Sequence, residues 1–185
     1  GEPHAEVHAL HAAGDKAHGA TAYVTLEPCS HHGRTPPCAE ALIAAGVARV
    51  VVAVDDPNPV VSGAGIARMR SAGIQVEMGS PMQATASREL NIGFFSRMQR
   101  QRPWVRMKIA ASLDGRTALD NGASQWITCE AARHDGHAWR RRASVLLTGS
   151  GTVLADNPRL DVRGHAVARQ PSRVVLDSTL ATPPD

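Results

Sequence analysis

Three side chains far apart in the sequence, His4, Cys29 and Cys38, constrain this fold most. His4 opens the triplet His4-Ala5-Glu6, Cys29 follows Pro28, and Cys38 follows Pro36-Pro37. One imidazole and two thiolates form a donor set suited to zinc, and a catalytic zinc keeps one of its four tetrahedral corners for water. To serve one ion, the helix start that carries His4 must meet both ends of the loop between the cysteines. Cys38 opens a helix, where free N–H groups and the helix dipole favour a thiolate. Glu6 lies two residues from His4, close enough to work at the same ion. A glutamate that is not a ligand is the proton carrier of zinc-dependent base deaminases. The pattern therefore predicts His4, Cys29 and Cys38 as metal ligands and Glu6 as the catalytic residue.

Zinc deaminases commonly place two residues between their cysteines. Here eight intervene, Ser30 to Pro37. A purely structural zinc is the competing reading, with His31, His32 or Cys129 as fourth ligand, but it gives Glu6 and Pro28 nothing to do. The long loop also brings His31 and Arg34 close to both sulfurs. Both are candidates for substrate contact, and the planar guanidinium of Arg34 matches a phosphate.

Composition narrows the class. Of 185 residues, 43% are hydrophobic and 20% charged, as in an ordinary globular chain. Aromatics are only 3%, so the core is built from aliphatic side chains, which suits layered α/β packing. The net charge of +3 is near balance and no block of like charge occurs, which argues against a nucleic-acid partner. No apolar run approaches the roughly 18 residues of a membrane span, and no signal peptide is visible. Of three cysteines, two flank a proline-rich loop and go with a distant His-x-Glu, an arrangement that reads as metal binding rather than a disulfide in a cytoplasmic protein.

Helical spacing from His4 to Ala13, a β-type run Thr21–Leu26 and a helix from Cys38 to Ala45 lead into the apolar run Val47–Val54. Such a run is the mark of a strand buried on both faces. A helix over 64–72 and a strand over 73–77 follow. This alternation predicts a mostly parallel sheet. A long polar helix, 84–102, ends at Pro103, so the domains are placed at 1–102 and 103–185. The second contains an expected strand Trp104–Ala110, a turn at Asp114-Gly115, a helix from Cys129 to Arg140, and strands over 144–148 and 172–177. Gly63-Ala64-Gly65 opens a helix but lacks the rest of a dinucleotide fingerprint, so no cofactor is assigned to it. Both ends read as internal to a longer chain.

The segments HAEVHAL, TAYVTLEPCSHHGRTPPCAEALIAAG and DDPNP resemble the deaminase half of the bifunctional riboflavin-biosynthesis deaminase–reductases. MKIAASLDGRTA, GASQWIT and TGSGTVLADNPRLDVR resemble the start of that family's reductase half. The resemblance implies a cytidine-deaminase-like α/β/α domain followed by part of a dihydrofolate-reductase-like domain. It implies zinc and NADPH as cofactors, a small phosphorylated pyrimidine as substrate, and self-association. Hydrolytic loss of a 2-amino group would precede reduction of the ribosyl side chain to ribityl. The matching positions make Ala110, Trp126, Thr152, Asp156 and Ser178 cofactor contacts. They make Ser124, Arg140, Leu160 and Arg163 substrate contacts. The rival function is a deaminase of nucleic-acid bases of the tRNA-editing type, which would want a basic, aromatic groove.

Overall fold

The computed structural model describes residues 3–33 and 35–183. The chain divides into two compact units, Gly1–Val105 and Arg106–Asp185.

The first unit runs α1 (Ala5–Ala13), a 3-10 turn (Gly14–Ala17), β1 (Thr21–Val24), α2 (Cys38–Ala44), β2 (Arg49–Val52), α3 (Ala64–Ser71), β3 (Gln75–Met78), α4 (Pro81–Leu90) and α5 (Ile92–Arg100). The three strands form one parallel sheet in the order β1-β2-β3, with Val50 in register between Ala22 and Val76. The apolar run that predicts a doubly covered strand is the central one, and Val50, Val51 and Val52 are all buried. Only residues 49–52 of that run enter the ladder. Val50, Val52 and Val76 pack against Ala39 and Leu42 of α2 and Ile66 and Met69 of α3. Burying side chains of this size stabilises by about 1.5–3 kcal/mol each, so this face of the sheet holds the unit together.

Parallel pairing has a consequence for the site. Every strand ends at the same edge of the sheet and every crossover helix begins there, which is where ligands bind in open α/β sheets. The loop bearing Cys29 leaves β1 at this edge, and α2 starts there with Cys38.

The expected helix over 84–102 is instead two. Ser80 starts the first early: its hydroxyl accepts the Gln83 N–H (3.3 Å) while the Gln83 side chain accepts the Ser80 N–H (2.8 Å). This reciprocal cap, with Pro81 in the first turn, defines a helix start. Asn91 then breaks the run. Its side-chain amide donates to the Ser87 carbonyl (3.0 Å), the acceptor its own backbone N–H uses, and local side-chain bonds of this kind compete with helix continuation.

The second unit holds α6 (Glu130–Arg141), β4 (Val145–Gly149), α7 (Ser150–Asp156) and β5 (Ser172–Leu176), with β4 and β5 parallel. The glycine-rich stretch after β4 therefore opens a helix. Asp114-Gly115 is a turn, closed by the Ser112 N–H on the Arg116 carbonyl (2.9 Å), with Gly115 at φ +83°. Trp104–Ala110 is not a strand: among the described residues it joins no sheet, and Val105, Met107 and Ile109 are exposed. Alternating apolar side chains define a strand only when a neighbour takes its N–H and C=O groups. Cys129 is the exposed residue at the N-cap position of α6. Among the described residues no helix is long and apolar enough to cross a membrane.

Candidate metal centre

His4 is the residue that caps α1, Cys38 is the first residue of α2, and Cys29 sits on the loop leaving β1. Two helix starts and one strand end thus converge. His4 Nδ1 lies 3.3 Å from Cys38 Sγ and 3.7 Å from Cys29 Sγ, and the three candidate ligand atoms all lie within 4.8 Å of one another. A tetrahedral zinc with bonds of about 2.3 Å to sulfur and 2.0 Å to nitrogen would set a nitrogen–sulfur separation of about 3.5 Å. The two measured separations bracket that value, so the donor set fits zinc in kind and spacing.

The loop is held by the helix it precedes. The Cys38 N–H donates to Cys29 Sγ (3.4 Å) and the Ala39 N–H to the Cys29 carbonyl (3.0 Å). These are first-turn donors of α2, which have no partner inside the helix. Cys38 is fully buried, Cys29 half-buried and His4 exposed, so the ligand set opens towards solvent on the histidine side. Among the described residues no fourth His, Cys, Asp or Glu joins the group, and His31 and His32 stay outside it. One corner remains for water, as a catalytic site needs.

Glu6 occupies the first turn of α1, half-buried, within hydrogen-bonding reach of the Cys38 thiol. Burial first, then the negative charge of Glu6 and of Cys29, pushes the Cys38 thiol well above its ordinary value. A divalent cation among the three ligands reverses that sign, because a coordinated thiol is deprotonated outright.

The neighbouring loop histidines face different carboxyls. His31 acts electrostatically on buried Asp56, whose carboxyl is raised chiefly by burial, and His32 acts on Glu40 of α2. Arg34 lies outside the described residues.

In the second unit three of the four expected substrate contacts gather. Arg140 Nη1 donates to the Asp161 carbonyl (3.1 Å), next to Leu160, while the Arg163 guanidinium pairs with the Asp161 carboxylate. The Arg163 N–H donates to His137 Nδ1 (3.1 Å). Burial, and then the charge of Arg163, disfavour the charge on Arg140. Ser124 is on the loop before α6, and among the described residues no hydrogen bond links it to these three. The expected cofactor contacts are spread over several elements: Ala110 on the segment before the Asp114 turn, Thr152 and Asp156 on α7, and Ser178 after β5. Trp126 precedes α6, exposed, with the Arg133 guanidinium 4.4 Å over its ring. Among the described residues no hydrogen bond links these five.

Sequence reasoning missed Glu27, Asp56 and His137. Glu27 is 3% exposed and accepts four backbone N–H groups. Its place two residues before Cys29 was the one available signal.

Comparison with known proteins agrees with this geometry. Residues 1–54 match the family model for the cytidine and deoxycytidylate deaminase zinc-binding region, and residues 103–185 match that for the RibD C-terminal domain. A deaminase-type zinc region joined to a RibD C-terminal domain defines the class of this chain. Riboflavin biosynthesis protein RibD of Escherichia coli K12 is 55% identical over 190 residues, covering 96% of this chain and 51% of that protein. Its Bacillus amyloliquefaciens counterpart is 51% identical, covering 99% and 49%. The structure of Acinetobacter baumannii RibD superposes with a TM-score of 0.88 at 51% identity, covering 98% of this chain and 52% of that one. A Thermotoga maritima structure, described as a diaminohydroxyphosphoribosylaminopyrimidine deaminase/5-amino-6-(5-phosphoribosylamino)uracil reductase, gives 0.85 at 42%, covering 96% and 50%. The chain belongs to the RibD family, and it spans about half the length of the curated relatives it matches.

Proposed function

We propose that the first unit carries a zinc-dependent hydrolytic deaminase for a phosphorylated diaminopyrimidine ribonucleotide, and that the second belongs to an NADPH-dependent reductase of its ribosyl side chain. The two steps serve riboflavin biosynthesis. The observation that carries this reading is the convergence of His4 Nδ1, Cys29 Sγ and Cys38 Sγ with Glu6 beside them. Zinc held there supplies a Lewis acid that activates water at neutral pH. Glu6 takes a proton from the attacking water and passes it to the ring nitrogen and the departing amine. The C–N bond breaks, ammonia leaves, and the ring carbon becomes a carbonyl.

His31 and Arg34 are assigned to the substrate of the first step. In the second, Ser124, Arg140, Leu160 and Arg163 hold the substrate. The unfavourable approach of Arg140 to Arg163 is relieved by an anion such as the ribose phosphate. Ala110, Trp126, Thr152, Asp156 and Ser178 are assigned to NADPH. The functional division is placed between Arg102 and Pro103. With three free thiols the enzyme is assigned to the cytoplasm, and it is expected to self-associate.

The test pairs zinc content with ammonia release. Zinc-loaded protein is expected to release ammonia from the diaminopyrimidine phosphate and none from a tRNA anticodon loop. The reverse preference would overturn the substrate assignment. For the second unit, titration with NADPH is expected to quench tryptophan fluorescence in the wild type and not in Trp126→Phe. Equal quenching in both removes Trp126 from the cofactor site.

A further inference from the structure

The chemistry above makes no use of Glu27, yet its buried carboxylate accepts four main-chain N–H groups. Its Oε1 accepts the N–H groups of Gly65 (3.0 Å) and Ile66 (3.1 Å), and its Oε2 those of Gly63 (2.9 Å) and Asp56 (3.4 Å). Gly65 and Ile66 lie in the first turn of α3, where N–H groups have no intrahelical partner and the helix dipole favours a carboxylate. The other two donors come from the loop between β2 and α3. Glu27 is also anchored through its main chain, its N–H donating to the Val54 carbonyl (3.1 Å).

A second contact ties the same two segments. A Cβ on Gly65 would stand 1.9 Å from the Pro28 carbonyl oxygen, so the start of α3 rests directly on the residue between Glu27 and Cys29. Gly63, at φ +79°, makes the turn that aims its N–H at Glu27.

We propose that Glu27 is a positioning residue of the metal centre. It clamps the loop that carries Cys29 to the β2–α3 segment and so holds Cys29 Sγ at its distance from His4 and Cys38. Both of its oxygens are filled by main-chain donors, so Glu27 neither ligates the ion nor carries the reacting proton. The inference rests on the zinc reading above, but not on the identity of the substrate.

Glu27→Gln keeps the shape and turns an amide NH2 towards two of the four backbone donors. Removal of the groups that orient zinc ligands costs about 10–100-fold in metal affinity, and that is the loss expected for this variant in competition with a chromogenic chelator. The cobalt-substituted protein should show an altered thiolate–cobalt absorption. Phe95→Ala is the control, since Phe95 is buried in α5 and lies outside the core cluster that packs against α2 and α3. It should lower the melting temperature while leaving metal affinity within about threefold of the wild type, as for a site that does not share partners with it. Glu27→Gln holding zinc as tightly as the wild type, or Phe95→Ala losing as much affinity, overturns the proposal.

The wild type offers an independent measurement that decides the matter even if Glu27→Gln does not fold. Coupling between two sites is reciprocal. Zinc should therefore slow hydrogen exchange at the Gly63, Gly65 and Ile66 amides by a factor comparable with the affinity loss in the variant. Exchange at those amides that ignores zinc sinks the clamp. None of these readouts uses ammonia: protein that binds zinc and shows the coupling but releases none from the pyrimidine refutes the proposed activity and leaves Glu27 in place.

Discussion

Glu6→Gln is expected to bind zinc at full stoichiometry and to release ammonia about 10²–10⁴-fold more slowly, the range that a positioned general acid–base contributes. Glu6 stands in the first turn of α1, two residues beyond His4, with its side chain within reach of Cys38 but outside the group of ligand atoms. Glutamine preserves that size and helix position and removes only the capacity to take a proton. The loss should appear in kcat, because nothing in the ligand geometry changes. The two readings of the site diverge here. A structural zinc has no use for Glu6, so unchanged ammonia release with retained zinc would refute its assignment. Loss of zinc in the variant would instead make Glu6 a ligand, contrary to the geometry. Metal analysis and a coupled ammonia assay on one preparation distinguish all three outcomes.

The parallel sheet was legible because burial on both faces writes itself as an unbroken apolar run, as in Val50, Val51 and Val52. The metal ligands were legible because few residue types bind zinc, and their partners need not be local. Glu27 was not legible for the opposite reason. Its partners are main-chain N–H groups 29 to 39 residues away, and a backbone N–H is the same at every position. Gly63-Ala64-Gly65 likewise reads as a poor phosphate loop, when its glycines serve the turn and the approach to Pro28. The break at Asn91 and the absence of a strand at Trp104–Ala110 among the described residues depend on competition for a carbonyl and on the presence of a neighbouring strand. Composition records neither. Nothing in the sequence distinguishes His137, because only the fold brings the Arg163 N–H to it.

His4→Ala and Cys38→Ser are expected to weaken zinc binding by about 10²–10³-fold each, but with different effects on the metal-free protein. Structural zinc sites bind with about 10–16 kcal/mol shared among four ligands, so one ligand accounts for roughly 3 kcal/mol. His4 is exposed and packs little, so its removal should leave the melting temperature without metal unchanged. Cys38 is fully buried at the start of α2, and serine there places a hydroxyl in the site of a thiol that packs as a small apolar group. A lower melting temperature is therefore expected for Cys38→Ser even without zinc. Metal removal provides the matching control. A ligand present at 1,000 times its dissociation constant stabilises a fold by about 4 kcal/mol, so chelation should lower the wild-type melting temperature markedly and that of His4→Ala far less. His4→Ala that keeps one tightly held zinc, or a wild type whose melting temperature ignores the chelator, would show that His4, Cys29 and Cys38 are not the ligand set.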